Sequence, residues 1–447
     1  MRQRAFSISA VVFLLSAGSL VGGAGCSSGG GAGGTGGSSG PGLGGTTGGG
    51  GAGAGGARGN GGTGAGGNNN GGGGNNPGAG GGGTPGGNGG TTGAGGAGAG
   101  GAGGAAPGTC ATAALSANAA ARLAAEYQSW KTTYVRECTA TSSAEVLMDS
   151  GTVVSEGIGY GMLLSVANDD RALFDKLWKF YSDHVDVRGL MNWRVAPCDP
   201  VADNRANSAT DGDLDAAMAL VQANLRWGGS YAATAADLIG KIKQFETDSC
   251  NGLNALRPGD RFGGCSDTNP GNAGKVNPSY FAPGYYRVFA TIDTANAAFW
   301  TKLAADSYTL LAQYQAANQA TMGGLVSEWG FVDGRTDGSP YGYNACRTPW
   351  RIATDYFWYC TPEARTFLEN VSTYVDGHGG VSGVPFDKNS AFLGAFALSA
   401  MPFGQGKLDG YVNSWLTTPM DDTPYFQATL RRLYLQLAAG QFARPAQ

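Results

Sequence analysis

From about residue 115 onward, apolar residues recur at three- and four-residue intervals, the period of an α-helix with one face turned inward. Alternating runs that would mark strands are scarce. The pattern predicts about twelve helices, near 115–137, 156–168, 170–185, 211–227, 231–249, 279–292, 296–318, 348–360, 361–376, 389–401, 406–417 and 425–440. Two kinds alternate along the chain. Odd members, such as DRALFDKLWKFYSDHV and AAFWTKLAADSYTLLAQYQAAN, set charges around one apolar stripe, as in a helix with one side in water. Even members, such as GYGMLLSV, DLDAAMALV, YYRVFATI and AFLGAFALSA, are apolar nearly all round, as in a helix enclosed by others.

That alternation predicts helical hairpins arranged as an inner and an outer ring, an all-α (α/α)6 barrel. The inner helices of such a barrel run parallel, so their N-terminal ends meet at one mouth. The unusual segments SEGIGYG, NSATDGD, NPSYFAPGYY, YNACRTPWR, KNSAF and DDTPYF all fall there.

Composition divides the chain. Most of the 81 glycines lie between about Gly29 and Gly108, in a stretch nearly free of charge and aromatic residues. Such a stretch buries too little apolar area to offset the entropy of ordering it, and residues 27–108 read as a flexible tether. Residues 1–26 have a basic start, an apolar run and the small residues GGAGC, the layout of an export signal. The cysteine at its end resembles a bacterial lipoprotein signal with Cys26 as the lipidated residue, although Gly23 stands where Leu or Val is usual; an ordinary secretory signal is the alternative. Export to the cell surface or the medium is expected, with residues 109–447 as the working domain.

Charge and residue counts exclude several chemistries. A net charge of −4 without a basic stripe gives no footprint for nucleic acid or anionic lipid, so contact with a membrane is expected only through the N-terminal lipid. Cys110, Cys138, Cys198, Cys250, Cys265, Cys346 and Cys360 contain no C-x-x-C pair. Some are expected in disulfides, but their number is odd and one can stay free. The two histidines, His184 and His378, form no H-E-x-x-H and no triad pattern, and phosphate-loop and dinucleotide motifs are missing. No metal or cofactor is expected, and carboxylates are the catalytic groups left.

Glu156 opens the second predicted helix, and Asp211 with Asp213 opens the fourth, so the barrel brings carboxylates from distant sequence to one cleft. Two carboxyls in an aromatic cleft suit glycoside hydrolysis, one donating a proton to the departing oxygen while another activates water or stabilises charge. A helix N-terminus lowers the pKa of Glu156. An ionised Asp211 and the apolar neighbours Tyr160, Met162 and Leu163 would oppose it. Either acid alone is better explained by the helix dipole; the combination is more specific. Arg347 and Arg351 lie at the same mouth, Arg351 reading as a structural ion-pair partner. Trp193, Tyr280, Phe281, Tyr285, Tyr286, Tyr343, Trp350, Tyr425 and Phe426 cluster in the mouth segments, and flat rings make platforms for sugars.

These segments resemble glycoside hydrolase family 8, an inverting family with an (α/α)6 barrel. SEGIGYGMLL is similar to its acid-bearing segment, MNWRV to its sugar-stacking segment, and NPSYFAPGYYRVFA to the start of its central helix. ATDGDLDAAMALVQANLRW fits its signature, with Ala216 where Ile or Met is usual. The resemblance implies that Glu156 is the general acid and that Asp211 binds and distorts the sugar, with Trp193, Arg194 and Tyr285 along the groove. Tyr160, Asp213, Tyr280, Tyr343, Asn344, Arg347, Trp350 and Tyr425 are the further candidates for contact with sugar. Many members carry their base, an aspartate, where this chain has Asn344, and asparagine takes no proton from water. In part of the group that shares the asparagine, a glutamate from an inserted loop serves. The loop SEWGFVDGRTDGSPYG offers Asp333 and Asp337; Asp337 is the candidate base, with a turn role as its alternative, and Glu328 reads as farther away and structural.

The expected activity is hydrolysis of β-1,4 bonds in a polysaccharide, cellulose or mixed-linkage glucan, by a monomer. Chitosanase and xylanase are the sister activities. A surface protein that binds carbohydrate but lacks a base is the alternative of another class. A purely structural barrel would leave the aromatics of the mouth without a purpose.

Overall fold

The computed structural model describes residues 115–199 and 207–445. The expected export signal with Cys26, the glycine-rich tether and Cys110 lie outside the described residues. In chain order the helices are α1 (Ala117–Ala120), α2 (Leu123–Tyr134), α3 (Ser155–Ala167), α4 (Arg171–Asp183), α5 (Thr210–Trp227), α6 (Tyr231–Phe245) and α7 (Pro283–Ile292). They continue as α8 (Ala297–Ala317), α9 (Gln319–Met322), α10 (Thr348–Tyr359), α11 (Pro362–Gly377), α12 (Ser390–Leu398), α13 (Gln405–Thr417) and α14 (Tyr425–Ala438). Apart from the four-residue α1 and α9, these are the helices that the apolar period predicts.

Their burial alternates as the two kinds of pattern require. All of α12 is buried, and α3 is buried from Ser155 to Val166, whereas α4 buries one stripe of Leu173, Phe174, Leu177, Phe180 and Tyr181. Helices α3, α5, α7, α10, α12 and α14 form the inner ring, and α4, α6, α8, α11, α13 and α2 pack outside them in turn. Within the ring α5 packs on α3, α3 on α14, α14 on α12, α12 on α10 and α10 on α7. Helices α5 and α7 face each other across a gap lined by Val221, Leu225, Val288, Ile292 and Pro445. The segment after α14 crosses this end of the ring: Phe442 stacks on Trp358, and the Trp358 indole donates to the Phe442 carbonyl at 2.8 Å. The C-terminal ends of α5, α7 and α10 therefore lie together, and the inner helices run parallel. The fold is an (α/α)6 barrel.

The glycines of SEGIGYG let α3 sit at the centre of these contacts. A Cβ at Gly157 would lie 2.8 Å from the Tyr425 hydroxyl on α14, and one at Gly159 would lie 2.8 Å from the Gly212 carbonyl on α5. At Gly161 it would meet Val146 at 2.9 Å and Leu177 at 3.0 Å. Three glycines at alternate positions thus face three different neighbours. Each lowers helix propensity by about 1 kcal/mol relative to alanine, and close packing is what that loss permits.

The helical period overran in two places. The helix expected over 115–137 ends at Tyr134, and Val135–Cys138 (β1) pairs antiparallel with Ser143–Val146 (β2). The helix expected over 231–249 ends at Phe245, and Thr247–Cys250 (β5) forms a hairpin with Leu253–Leu256 (β6). Its turn is Asn251-Gly252, both at positive φ, the turn chemistry that closes a two-residue hairpin. Two shorter ribbons pair Val153–Val154 (β3) with Arg194–Val195 (β4), and Lys275–Val276 (β7) with Gly330–Phe331 (β8). Disulfides join Cys138 to Cys198 and Cys250 to Cys265, Cys360 is disulfide-bonded too, and Cys346 is buried and free.

Candidate active site

The ribbon segment 191–195 sets the spacing of the two leading acids. The Ser155 N–H donates to the Trp193 carbonyl at 3.0 Å and the Trp193 N–H to the Asn207 carbonyl at 2.9 Å. One extended strand thus holds the chain just before α3 on one side and the chain before α5 on the other. Glu156 and Asp211, each in the first turn of its helix, are brought to the same place.

Arg347 joins them. Its Nη1 donates to Glu156 Oε2 at 2.5 Å and to Asp211 Oδ2 at 2.7 Å, and reaches the Tyr160 hydroxyl at 3.3 Å. The guanidinium is wholly buried and lies against the rings of Tyr280 and Phe426. From α14, the Tyr425 hydroxyl donates to Glu156 Oε1 at 3.2 Å. Residues at the starts of α3, α5, α10 and α14 therefore meet at one point, the end of the barrel opposite Phe442.

Burial pushes the pKa of Glu156 up to about 7. The Arg347 charge and the Tyr425 hydrogen bond pull it down, while the negative Asp211 and Asp215 add to the rise. Desolvation is the largest cause, ahead of the like-charge repulsion expected from Asp211. A carboxyl that holds its proton near neutral pH is suited to protonate a leaving oxygen.

Around this centre the rings differ. Trp193 and Tyr343 are half-exposed, Arg194 is exposed beside Trp193, and Tyr280 and Tyr425 are buried against the Glu156 and Arg347 pair. Tyr343 is held by Asp387, to which its hydroxyl donates at 2.8 Å, and it packs on Phe392 and Phe426.

Three expected sugar contacts are placed elsewhere. Asp213 has no exposed surface: its Oδ1 accepts from the Tyr181 hydroxyl and from the Met191 N–H at 3.2 Å. It is paired behind the site with buried Glu246, burial raising Asp213 to about 7 and Glu246 well above the usual range. Tyr285 is buried and stacked on Trp358. Trp350 is buried edge-on to Tyr160. All three sit one turn or less into inner helices, where the ring closes over every face. Arg351 makes a two-pronged pair with Asp215, at 2.5 and 2.7 Å, between Tyr285 and Trp350, the structural role expected of it.

The loop before α10 reverses the expected order of its acids. Asp337 is exposed and caps its own turn, Oδ1 accepting from the Ser339 N–H at 3.0 Å and from its hydroxyl. Asp333 is bound by Arg335. Glu328, read from the sequence as distant, is half-buried against Asn344: its Oε1 accepts from the Asn344 N–H at 3.0 Å and its Oε2 from the amide Nδ2 at 3.4 Å. A signal for it was present, since a lone acid following the apolar GLVS raises the same question as the glutamate of SEGIGYG.

The family profile described as Glycosyl hydrolases family 8 matches residues 105–377. Endoglucanase A of Acetivibrio thermocellus is 31% identical over 354 residues, which cover 72% of this chain and 69% of that protein. Endoglucanase 2 of Ruminiclostridium josui is 32% identical over 342 residues, 71% of each chain. Among solved structures, the apo β-1,3-1,4-glucanase from Paenibacillus sp. X4 superposes on 74% of this chain and 96% of its own with a TM-score of 0.63. At 24% identity that last likeness speaks for the fold.

Proposed function

The chain belongs to glycoside hydrolase family 8, and from that premise we propose how its cleft hydrolyses the β-1,4 bonds of a polysaccharide. The reading is an endoglucanase acting on cellulose or mixed-linkage glucan with inversion at the anomeric carbon. The observation that carries it is the buried Glu156 sharing the Arg347 guanidinium with Asp211 at the barrel mouth. Glu156, protonated up to about neutral pH, gives its proton to the departing glycosidic oxygen. Asp211 stays ion-paired and takes sugar hydroxyls, while Trp193 and Tyr343 offer the half-exposed rings on which a glucan chain stacks. The site needs no metal or cofactor for this chemistry.

The test is reducing-end release by the whole protein from soluble cellulose, lichenan, xylan and chitosan, beside a Glu156→Gln control. Hydrolysis of a glucan, abolished in the control, is expected. Preferred hydrolysis of xylan or chitosan would move the assignment to a sister activity. Binding without hydrolysis would favour the carbohydrate-binding reading that Asn344 raised.

We also place the enzyme, as a monomer, outside the cytoplasm, anchored by a lipid on Cys26 and held off the surface by the glycine-rich tether. The support is in the residues themselves: the basic and apolar start, the small residues before Cys26, and a following stretch rich in glycine and nearly free of charge and aromatic residues.

A further inference from the structure

We propose that Asp213 and Glu246 hold a proton between them, and that this buried acid pair positions the two segments that carry Trp193 and Asp211. The inference rests on the reading above for what the cleft binds. Each carboxyl has one oxygen served from outside the pair. Asp213 Oδ1 accepts from the Tyr181 hydroxyl and from the Met191 N–H at 3.2 Å, and Glu246 Oε1 accepts from the Ser208 hydroxyl at 2.6 Å. The second oxygens, Asp213 Oδ2 and Glu246 Oε2, are buried and have no such donor, and the two carboxyls lie within hydrogen-bonding reach of each other. Two facing acceptors repel unless a proton lies between them, and only a carboxylic acid can supply it. Burial favours the neutral form of both, and the rise is larger for Glu246, so Glu246 donates and Asp213 accepts.

No cation takes the place of the proton among the described residues. Of the groups around the pair, Arg188 and Arg261 are turned to Asp260, and Arg257 donates to the Phe245 and Gly263 carbonyls. Lys243 lies over the Phe299 ring, and His184 lies between the Phe180 and Asp199 carbonyls. Tyr181 keeps its own proton, its pKa raised by burial and by Asp213. The nearby Asp211 is negative and adds to the rise in Asp213.

The partners of the pair are the segments that build the mouth. Met191 opens the extended segment that carries Trp193, and Ser208, bridged to Asn192, stands three residues before Asp211. Between Asp211 and Asp213, a Cβ at Gly212 would lie 2.6 Å from Ser155, the residue before Glu156. The first turn of α5 is thus clamped by the acid pair on one side and by the start of α3 on the other. Loss of the proton leaves two negative charges in a buried place without a counter-ion, and drives them apart. Both folded values lie above the ordinary 3.8 and 4.5. The stabilisation is therefore fully present below those values and is lost as pH rises, through about 7 for Asp213 and higher for Glu246.

The experiment follows the whole protein from pH 6 to 10 by thermal melts and by calorimetric titration with cellopentaose. Every variant also carries Glu156→Gln, which removes the titration of Glu156 and prevents turnover. Beside this parent stand Glu246→Gln, whose amide gives Asp213 an N–H at every pH, and the combination of Glu246→Gln with Asp213→Asn. In the combination one N–H faces another, at Gln or at Met191, whichever way the Asn amide turns. Glu246→Gln should melt within about 4 °C of the parent at pH 6, bind cellopentaose as the parent does, and melt above the parent at pH 9 and beyond. The combination should melt roughly 5–10 °C lower at pH 6 and bind about tenfold more weakly. An equal fall of melting temperature with pH in Glu246→Gln and the parent would overturn the inference, since no proton would be kept there. So would a Glu246→Gln protein that melts more than about 4 °C below the parent at pH 6, or a combination that binds cellopentaose as the single variant does. A parent that binds no cellopentaose would sink the glucan reading, while the melts still decide the pair.

Discussion

At the scale of single residues, one arginine serves two acids at the barrel mouth. The pair costs desolvation on both sides, and the attraction of Arg347 offsets only part of it for Glu156, whose pKa settles at about 7. A pH-rate profile checks this directly. Because the acid must carry its proton, kcat/KM should hold below about 7 and fall as pH rises through that value. An upper limb near the ordinary carboxylate value of 4.5 would contradict it. The same shift affects stability: a raised folded pKa means that the contribution of Glu156 is fully present below 4.5 and is lost as pH climbs through about 7. The meeting of Glu156 and Asp211 was half legible in the chain, because each is an acid at the start of an apolar helix. Asp213, two residues after Asp211, could not be told from it, since only the packed barrel decides that one carboxyl meets Arg347 and the other meets Tyr181 and Met191.

At the scale of elements, helix α3 carries the acid because its glycines let it approach α5 and α14. Gly159→Ala tests this. Alanine gains about 1 kcal/mol of helix propensity, but its Cβ would stand 2.8 Å from a backbone carbonyl and 2.9 Å from the Asp215 Cβ. Overpacking of that kind costs about 1–3 kcal/mol, and the displaced α3 would draw Glu156 from Arg347. A lower melting temperature and a lower kcat are expected; a variant that melts above the wild type would show that the close approach is dispensable. Apart from the short α1 and α9 and the later start of α7 at Pro283, the predicted helices matched the observed ones except where they ran into hairpins. Residues 247–250 continue the amphipathic period of α6, but Asn251-Gly252 closes a turn, and cross-strand pairing outweighs helix propensity there.

At the scale of the whole molecule, the described residues form a ring of helices whose two ends differ: one is crossed by the C-terminal segment at Phe442, and the other holds Glu156, Asp211 and Arg347. If the N-terminal stretch is the lipid-anchored tether proposed above, such a domain would search a polymer surface while staying with the cell. Cys26→Ala is expected to release the protein from the membrane fraction into soluble fractions with unchanged activity per molecule, as read by fractionation and by radiolabelled palmitate. Equal release of wild type and variant, with no label on either, would leave an ordinary secretory signal.

The sequence by itself determined the number and kind of helices, because burial on one face or on all faces writes a different apolar period into each. It also placed Glu156 and Asp211 at helix starts, which is local information. Only the tertiary structure decided that both share Arg347, that Tyr285 and Trp350 are buried behind the site, and that Glu328, not Asp337, lies on Asn344. The hydrogen bonds among them join residues 16 to 191 positions apart, and their geometry follows from the packing of the ring and the loop path, which no local period records.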